Sequence, residues 1–524
     1  MNRNKKILFS LCVMAVPIII YFFFLQWKTN TVYGDDLYVF RDLLKNSSIS
    51  KIINSTATNG KFRPVAAFSL KFIFELFHKN LNGYYLFNVL IQTLNTYLVA
   101  LLLNLFLRSH FASLSFSLIY GLSRFSLYDF VDIFNGGALE GLAMLFFILS
   151  VYFILTGLVR TSEPTRRLQK AFLLSVLFAN LAMYTHERYI VLFPFIVVVL
   201  FFSPGLHPLP LKHKFSLSLL ACLSIVLNIV LKKFAYSMPF FVGTGGTNIS
   251  FSLTSAASFF ADGVLSIFKM NSGPSYLTGV PFISLQGINL FITLLAIFGS
   301  VEILLLFLMR IPKVFAQKDE VQKSNYYTAF FLAVLFTFCL IPVVVTIRLE
   351  QRWLQASFSI FLLVLVIAFN SLQFRNIYVK NAFFSLYILV FLWSDYNYLN
   401  QGAELLYMKD AERTAAIFGN AVKTGTIRPG TANLFIWEKH RDINAETGLS
   451  WTLADGYFFD FYQNKGKTLI FIDSQSLHTN DISNNPLGRF SANSTQVLYV
   501  NERVTDITTD YLKDTLNAFS NKVK

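Results

Sequence analysis

Two adjacent carboxylates, Asp35 and Asp36, are the residues whose type and position most clearly suggest chemistry. They follow a first hydrophobic stretch, at the boundary of a predicted membrane span. A charged side chain costs roughly 2.5–3.5 kcal/mol near the bilayer centre, so such residues commonly mark an aqueous or functional site. We expect one of them to act as a general base on a hydroxyl group. The alternative is a helix N-cap, because acidic residues are favoured where a helix begins.

Three arginines are candidates for binding an anionic group. Arg63 lies in a basic tract just before Pro64, and Arg348 and Arg352 flank Glu350 ahead of a predicted span. A guanidinium binds phosphate with two parallel hydrogen bonds. Arginine is normally depleted on the outer face of a membrane, which favours phosphate binding for the later pair over an interfacial belt. For Arg63 a solvated turn is the alternative.

Charged residues in other turns are predicted to face the same cavity. The trio that begins at His186 separates two apolar runs, and it either binds an acceptor or a metal ion or forms a self-neutralising Glu/Arg pair. The acids on either side of Asn135 either line the cavity or cap the helix that begins near residue 138. The candidate cavity residues are His186, Glu187, Arg188, Asp129, Asp132, Glu140 and Glu350.

The composition is that of a polytopic membrane protein. Of the 524 residues, 54% are hydrophobic and only 14% are charged, whereas soluble proteins carry about 25% charged residues. The net charge of +15 resides mostly in short loops, so the positive-inside rule explains it and nucleic-acid binding is excluded. The cysteines Cys12, Cys222 and Cys339 lie in apolar runs without a metal-binding spacing, so no metal site is predicted from them.

Hydropathy predicts about eleven transmembrane helices. Lysine and arginine alternate between the connections in a way that places the N-terminus in the cytoplasm and the C-terminal segment outside. The candidate acids and arginines then all fall on the outer side, in loops that are distant in sequence. The predicted spans are 7–26, 84–107, 111–127, 137–159, 171–184, 188–203, 215–232, 284–309, 327–347, 353–370 and 381–395.

Two regions outside the spans are predicted to have structure of their own. The outer loop 27–83 contains helical patterns over 36–45 and 64–78, which we expect to lie flat on the membrane surface. The segment 396–524 contains short apolar runs typical of buried strands, together with amphipathic helices. We therefore predict a transmembrane module over 1–395 and a small α/β extracytoplasmic domain over 396–524.

The order of these motifs resembles that of the GT-C superfamily of multi-spanning glycosyltransferases, in its A-type core. That group includes protein O-mannosyltransferases and the aminoarabinose transferase acting on lipid A. The matching tracts are Asp35-Asp36, Phe62-Arg63-Pro64 with Gly83 to Asn88, Gly136 to Glu140, Tyr184-Thr185-His186-Glu187 with Pro194, and Glu350-Gln351-Arg352-Trp353-Leu354. The sequence departs from the family where Tyr85-Leu86 replaces Phe-His, and where His186 replaces lysine.

The resemblance implies an inverting transfer of a sugar from a polyprenyl-phosphate donor. Asp35 or Asp36 would act as the base on the acceptor, and Arg63, Arg348 and Arg352 would bind the donor phosphate. His186 and Glu187 would flank the acceptor or orient the base. No cofactor is required by this chemistry, although a divalent cation (Mg or Mn) bound to the acidic pair stays an open alternative.

The sequence therefore predicts an integral-membrane glycosyltransferase of a bacterial inner membrane, with its C-terminal domain in the periplasm. Its predicted partners are a polyprenyl-phosphate-linked sugar such as an undecaprenyl-phosphate sugar, a glycan or glycolipid acceptor such as O-antigen, and membrane lipids. The alternatives are a flippase or transporter for a lipid-linked oligosaccharide, which usually carries charges within its spans and repeat symmetry, and an O-antigen ligase or polymerase, which uses a pyrophosphate-linked donor.

Overall fold

The chain forms two compact units in the computed structural model. The first unit is built from residues 1–28 and 48–403, and the second from 29–47 and 404–524. The predicted domain boundary at residue 395 stays a prediction, because these units are defined by packing alone. The described residues are 3–45, 48–58, 61–159, 165–206, 209–237, 252–268, 285–316, 320–346, 349–372, 376–402, 407–428, 430–437, 449–454, 457–463, 469–473 and 495–510.

Helices dominate both units. In chain order they are α1 (Arg3–Phe23), α2 (Asp35–Lys45), α3 (Ile49–Thr58), α4 (Pro64–Phe77), α5 (Leu81–Leu107), α6 (His110–Gly121), α7 (Tyr128–Val131), α8 (Leu142–Val159), α9 (Thr165–Thr185), α10 (Leu192–Phe202), α11 (Leu211–Val230), α12 (Leu253–Ile267), α13 (Gly287–Met309), α14 (Ile311–Ala316), α15 (Glu320–Thr346), α16 (Gln355–Ser371), α17 (Ile377–Gly402), α18 (Tyr407–Lys423), α19 (Leu449–Thr452) and α20 (Tyr457–Gln463).

The protein is an integral membrane protein, and the predicted fold class of a polytopic helical bundle with a small α/β segment is confirmed. Within the described residues, nine helical stretches are long and apolar enough to cross a membrane, against about eleven predicted. They are Lys6–Phe23, Leu81–Leu107, Gly136–Leu158, Thr165–Thr185, Leu211–Ala235, Gly287–Ala316, Gln322–Val345, Gln351–Ser371 and Ile377–Asn397.

The two remaining predicted spans are shorter helices. Residues 111–127 correspond to α6, which has 12 residues, and 188–203 correspond to α10, which has 11. At 1.5 Å per residue these helices are about 16–18 Å long, against about 30 Å of hydrocarbon. Both are continued by irregular turns that carry polar side chains, so hydropathy alone overestimated their helical length.

One hydrophobic core runs through the first unit. Helix α8 packs on α9, α5 on α6, and α15 on α16. Helix α16 is buried almost along its whole length, which identifies it as the central helix. Such an all-round apolar helix is typical of the middle of a bundle. The first residues of α16 therefore lie near the centre of the first unit.

The second unit contains a four-stranded sheet with strand order β2-β1-β3-β4. Strands β1 (Ala432–Trp437), β2 (Leu469–Asp473) and β3 (Thr495–Val500) are parallel, and β4 (Val504–Asp506) pairs antiparallel with β3. The first three strands coincide with the predicted apolar runs, as expected for a buried parallel sheet. The short β4 was not predicted, and the later part of the predicted helix 505–519 lies outside the described residues.

The predicted outer loop is divided between the units. Helices α2 and α4 form where the sequence predicted helices over 36–45 and 64–78, and α3 was not predicted. Helix α2 packs with α20 in the second unit, whereas α3 and α4 belong to the first. The acidic pair and Arg63 therefore lie in different units.

Candidate functional site

Irregular helical turns bring four distant segments of the first unit together. Each is a 3₁₀- or π-helical turn that precedes or follows a long helix, and such turns are frequent at functional sites. Because their backbone departs from the α-helical period, they direct side chains inward at the end of a span. The turns are Arg124–Ser126, Gly136–Gly141, Glu187–Val191 and Gln351–Leu354.

Arg63 and Glu187 form a bidentate ion pair. Arg63 Nε donates to Glu187 Oε2 at 2.6 Å, and an Nη nitrogen donates to Oε1 at 3.1 Å. The same Nη lies 3.2 Å from His186 Nε2. Arg63 is positioned by α4, since Pro64 is the first residue of that helix and proline suits that position.

Arg188 and Glu140 form a second, more deeply buried ion pair. A terminal nitrogen of Arg188 contacts Glu140 Oε2, and another donates to the backbone oxygen of Arg352 at 3.2 Å. The side chains of Arg188 and Glu140 are only 7% and 2% exposed. Glu140 lies within the π-helical turn, and its other oxygen is 3.7 Å from His186 Nε2.

Arg352 joins two more of the predicted acids. Its Nη1 donates to Asp132 Oδ2 at 2.9 Å, and its Nε donates to Glu350 Oε2 at 2.5 Å. Its guanidinium also lies over the ring of Tyr128, 4.9 Å from the centroid, in a cation–π contact. Arg352 is less buried than the other two arginines, with 23% of its side chain exposed.

Asp129 lies beside this network, and among the described residues it forms no ion pair with an arginine. Its Oδ2 accepts a hydrogen bond from Gln355 Nε2 at 3.1 Å, and the same nitrogen donates to the hydroxyl of Tyr120 at 3.2 Å. Burial raises the pKa of Asp129 to about 7, although Gln355 and Arg188 act in the opposite direction. Its charge therefore changes near neutral pH.

Burial and charge also shift the neighbouring groups. Burial, followed by the charge of Arg63, lowers the pKa of His186 well below its usual value, so this imidazole is neutral near pH 7. Burial opposes ionisation of Glu187, but Arg63 outweighs it and holds the pKa of Glu187 well below its usual range. Burial lowers the pKa of Arg188 to about 10, so it stays charged.

The π-helical turn that carries Glu140 packs against α5. Asn88, seven residues into α5, accepts a hydrogen bond from the backbone N–H of Gly137 at 3.0 Å. Seven residues of helix span roughly 10 Å. A side chain at Gly137 would meet Asn88 Oδ1 at 2.3 Å, so glycine is required for this close approach. The π-helical turn therefore contacts α5 about two helical turns after that helix begins.

The balance of charge determines what the cluster can bind. Each of the three arginines is paired with a carboxylate. Two lysines also interact electrostatically with the cluster, Lys232 with Glu187 and Arg63, and Lys61 with His186. Buried ions are expensive unless they are paired and hydrogen-bonded. An anionic ligand such as a phosphate would therefore have to replace a carboxylate as the partner of a guanidinium that is already held in place.

The acidic pair lies at the start of α2 in the second unit. Asp35 is exposed, and its Oδ1 accepts a hydrogen bond from the indole N–H of Trp451 at 3.1 Å. Asp36 is buried, with 7% exposure. Both are helical residues of the first turn, where carboxylates interact favourably with the helix dipole. Asp35 is the acid whose carboxylate can be reached from solution.

Other polar residues at these positions were not predicted from the sequence. Tyr128 and Gln355 contact Arg352 and Asp129, and Tyr120 accepts a hydrogen bond from Gln355. The sequence around these residues carries no signal beyond proximity to a span end. Arg348 lies outside the described residues. In the described part of the chain, no group of three His, Cys, Asp or Glu side chains is arranged to hold a metal ion, and a divalent cation bound to the acidic pair stays a prediction.

Comparisons with known proteins gave two similar solved structures. One is ArnT from Cupriavidus metallidurans bound to undecaprenyl phosphate, with 11% identity, a TM-score of 0.43, and coverage of 95% of this chain and 93% of that chain. The other is the same protein in the apo state, with 10% identity, a TM-score of 0.35, and coverage of 95% and 94%.

Both TM-scores lie below 0.5, and a likeness of that size does not decide a function. No family model matches the chain, and no curated protein matches it in sequence.

Proposed function

We propose that this protein is a membrane glycosyltransferase that transfers a monosaccharide from a polyprenyl-phosphate donor to an extracytoplasmic acceptor. The acceptor is a lipid-linked or surface glycan, such as O-antigen. The membrane is the bacterial inner membrane, with the N-terminus in the cytoplasm and the second unit in the periplasm. Lysine and arginine are concentrated in alternate connections between the predicted spans, and this pattern supports the orientation.

The observation that carries the proposal is the meeting of Arg63, Arg188 and Arg352 in one buried cluster. The ion pairs that join their segments connect residues 124 and 220 positions apart. Guanidiniums held by carboxylates and backbone oxygens are already oriented, so little is lost when they bind a phosphate. Charged residues kept buried beside membrane spans at this cost are functional candidates by default.

The proposed reaction is a single displacement. Asp35 takes the proton of an acceptor hydroxyl, and that oxygen attacks the anomeric carbon of the donor sugar. The bond between this carbon and the phosphate oxygen breaks, and polyprenyl phosphate leaves with the electron pair. The arginines stabilise the negative charge that grows on the leaving phosphate. Attack opposite the leaving group inverts the anomeric configuration.

Five other side chains near the arginines have roles in this scheme. Glu140, Glu187, Glu350 and Asp132 hold the guanidiniums in place between turnovers. The neutral His186 contributes a polar edge beside Arg63 without adding charge. No step is routed through a metal ion.

A transfer assay in proteoliposomes tests the proposal. Purified protein is supplied with a panel of polyprenyl-phosphate sugars, polyprenyl-pyrophosphate oligosaccharides and glycan acceptors, and both product formation and lipid translocation are measured. We expect transfer from a monophosphate-linked sugar that is lost in Asp35→Asn. Transfer only from pyrophosphate donors identifies a ligase or polymerase, and translocation without transfer identifies a flippase. Either result overturns the proposal.

A further inference from the structure

The C-terminal part of the chain packs against the segment that carries the acidic pair. Within the second unit, the rings of Phe40 and Phe461 lie 4.5 Å apart, and Arg41 lies over the ring of Tyr457 at 4.3 Å. The backbone N–H of Asn30 donates to a carboxylate oxygen of the tail at 3.0 Å. Residues more than 370 positions later in the chain therefore contact both α2 and the segment that precedes it.

The contact with Trp451 is the closest of these to the chemistry. Its indole N–H donates to Asp35 Oδ1 at 3.1 Å, and its ring meets Tyr33 edge-on at 6.2 Å. The next residue, Thr452, accepts the backbone N–H of Gly34 at 3.0 Å. Side chain and backbone together thus fix the turn that leads into Asp35.

Gly34 makes the approach of the indole possible. Its φ of +56° lies in the left-handed region, and an added Cβ would lie 2.5 Å from Trp451 Cζ2. Both features favour glycine and disfavour every other residue. The chain therefore places Trp451 directly over the backbone that precedes the acidic pair.

We propose that Trp451 is a positioning residue for Asp35, so that the C-terminal part of the chain orients the base of the transfer reaction. This inference rests on the function proposed above. Asp35 is exposed, and an exposed aspartate without a fixed partner samples several rotamers. A single N–H donor on one oxygen restricts that sampling and leaves the second oxygen directed to solvent. Correct orientation of a catalytic group contributes to rate chiefly through kcat.

The test compares Trp451→Phe with wild type in the transfer assay. Phenylalanine keeps a ring beside Gly34 and Tyr33 but has no N–H. We expect kcat to fall roughly tenfold, the value of one hydrogen bond to a charged group, with the KM for the donor unchanged. Trp393→Phe is the matched control, because Trp393 is half exposed on α17 in the first unit. It should retain wild-type kcat.

A double-mutant cycle separates positioning from a purely structural role. If Trp451 acts through Asp35, then Trp451→Phe has no further effect in an Asp35→Asn background. Two independent, multiplying losses would overturn the inference while leaving the glycosyltransferase proposal intact. Absence of transfer in wild type would instead overturn the proposed function.

Gly34→Ala provides a second route should Trp451→Phe fold poorly. The new methyl group displaces the indole from the other side, so kcat should fall at least as far as in Trp451→Phe. Phe461→Leu loosens the packing on Phe40, in the middle of the same helix, without touching Asp35. Its thermal unfolding and kcat show what loosening alone does. A kcat loss in Phe461→Leu equal to that in Gly34→Ala would contradict a specific role for Trp451.

Discussion

The cluster of arginines in the first unit and the acidic pair in the second are built on opposite principles. In the cluster, Arg188 and Glu140 are almost completely buried and each cation meets a carboxylate. Asp35 is exposed and carries one neutral donor, Trp451. A single substitution in the cluster therefore leaves a buried charge without its partner and lowers the stability of the fold. Asp35, in contrast, can be replaced with little effect on folding.

The proposed reaction accounts for this difference. A site for a phosphate needs fixed positive charge in a water-poor setting, and internal carboxylates keep that charge stable when no ligand is bound. A general base must instead reach its proton and release it to water, so a half-open position suits it. The comparison predicts that mutations in the two regions separate binding and stability from turnover.

The largest expected effect is on turnover in Asp35→Asn. Because the amide cannot accept the proton, kcat should fall by about 10²–10⁴, the range for loss of a general base. The melting temperature and donor binding should stay at wild-type values, since Asp35 is exposed. Asp36→Asn is the comparison variant, and its buried position predicts lower stability. Full activity of Asp35→Asn would remove Asp35 from the mechanism.

Next in size is the loss of stability in Arg188→Met. Glu140 would stay buried without its closest partner, and breaking a buried pair in this way costs about 3–5 kcal/mol. Thermal unfolding in detergent measures it. The double variant Arg188→Met/Glu140→Met removes both charges and should recover most of the loss. Equal stability of Arg188→Met and wild type would show that the pair is not buried as described.

A pH dependence of stability follows from Asp129. The unfolded chain releases this proton near pH 4, whereas burial raises the pKa in the folded protein to about 7. The folded state thus binds more protons between these values, and the free energy of unfolding falls as pH rises from about 4 to about 7, by at most about 1.4 kcal/mol per pH unit. Asp129→Asn should flatten this part of the curve, and an unchanged slope would contradict the assignment.

The smallest effect is expected in Arg63→Lys. Lysine keeps the charge but loses the two parallel hydrogen bonds to Glu187, so donor KM should rise roughly tenfold while kcat stays near wild type. Glu75→Gln on the same helix is the control, because the Glu75 side chain is 55% exposed and ion pairs with an exposed partner contribute little. Identical KM values for Arg63→Lys and Glu75→Gln would exclude Arg63 from donor binding.

Sequence alone predicted the elements better than the contacts between them. Apolar length located nine spans, and the strands around Phe435, Phe471 and Leu498 were recognisable from their β-branched and aromatic content. The charge pattern placed Arg63, Glu187 and Arg352 on one side. Their pairing could not be predicted, because it depends on the irregular turns that end the spans.

The turns themselves are a tertiary effect. Nothing in the tract from Gly136 to Gly141 distinguishes a π-helical turn from an α-helical one until Asn88 occupies the space beside Gly137. The same holds for Trp451, which lies 416 positions from Asp35. Hydropathy also could not show that α2 packs with the C-terminal segment, since its amphipathic pattern fits a membrane surface equally well.

Lipid binding to the purified protein tests the central claim most directly. A polyprenyl phosphate and the corresponding polyprenol, which has the same chain and no phosphate, are titrated against wild type. If the arginine cluster is a phosphate site, the phosphate lipid binds at least roughly tenfold more tightly, as for one or more charge-assisted hydrogen bonds, and Arg352→Gln reduces that preference. Equal affinity for the two lipids in wild type would contradict the account.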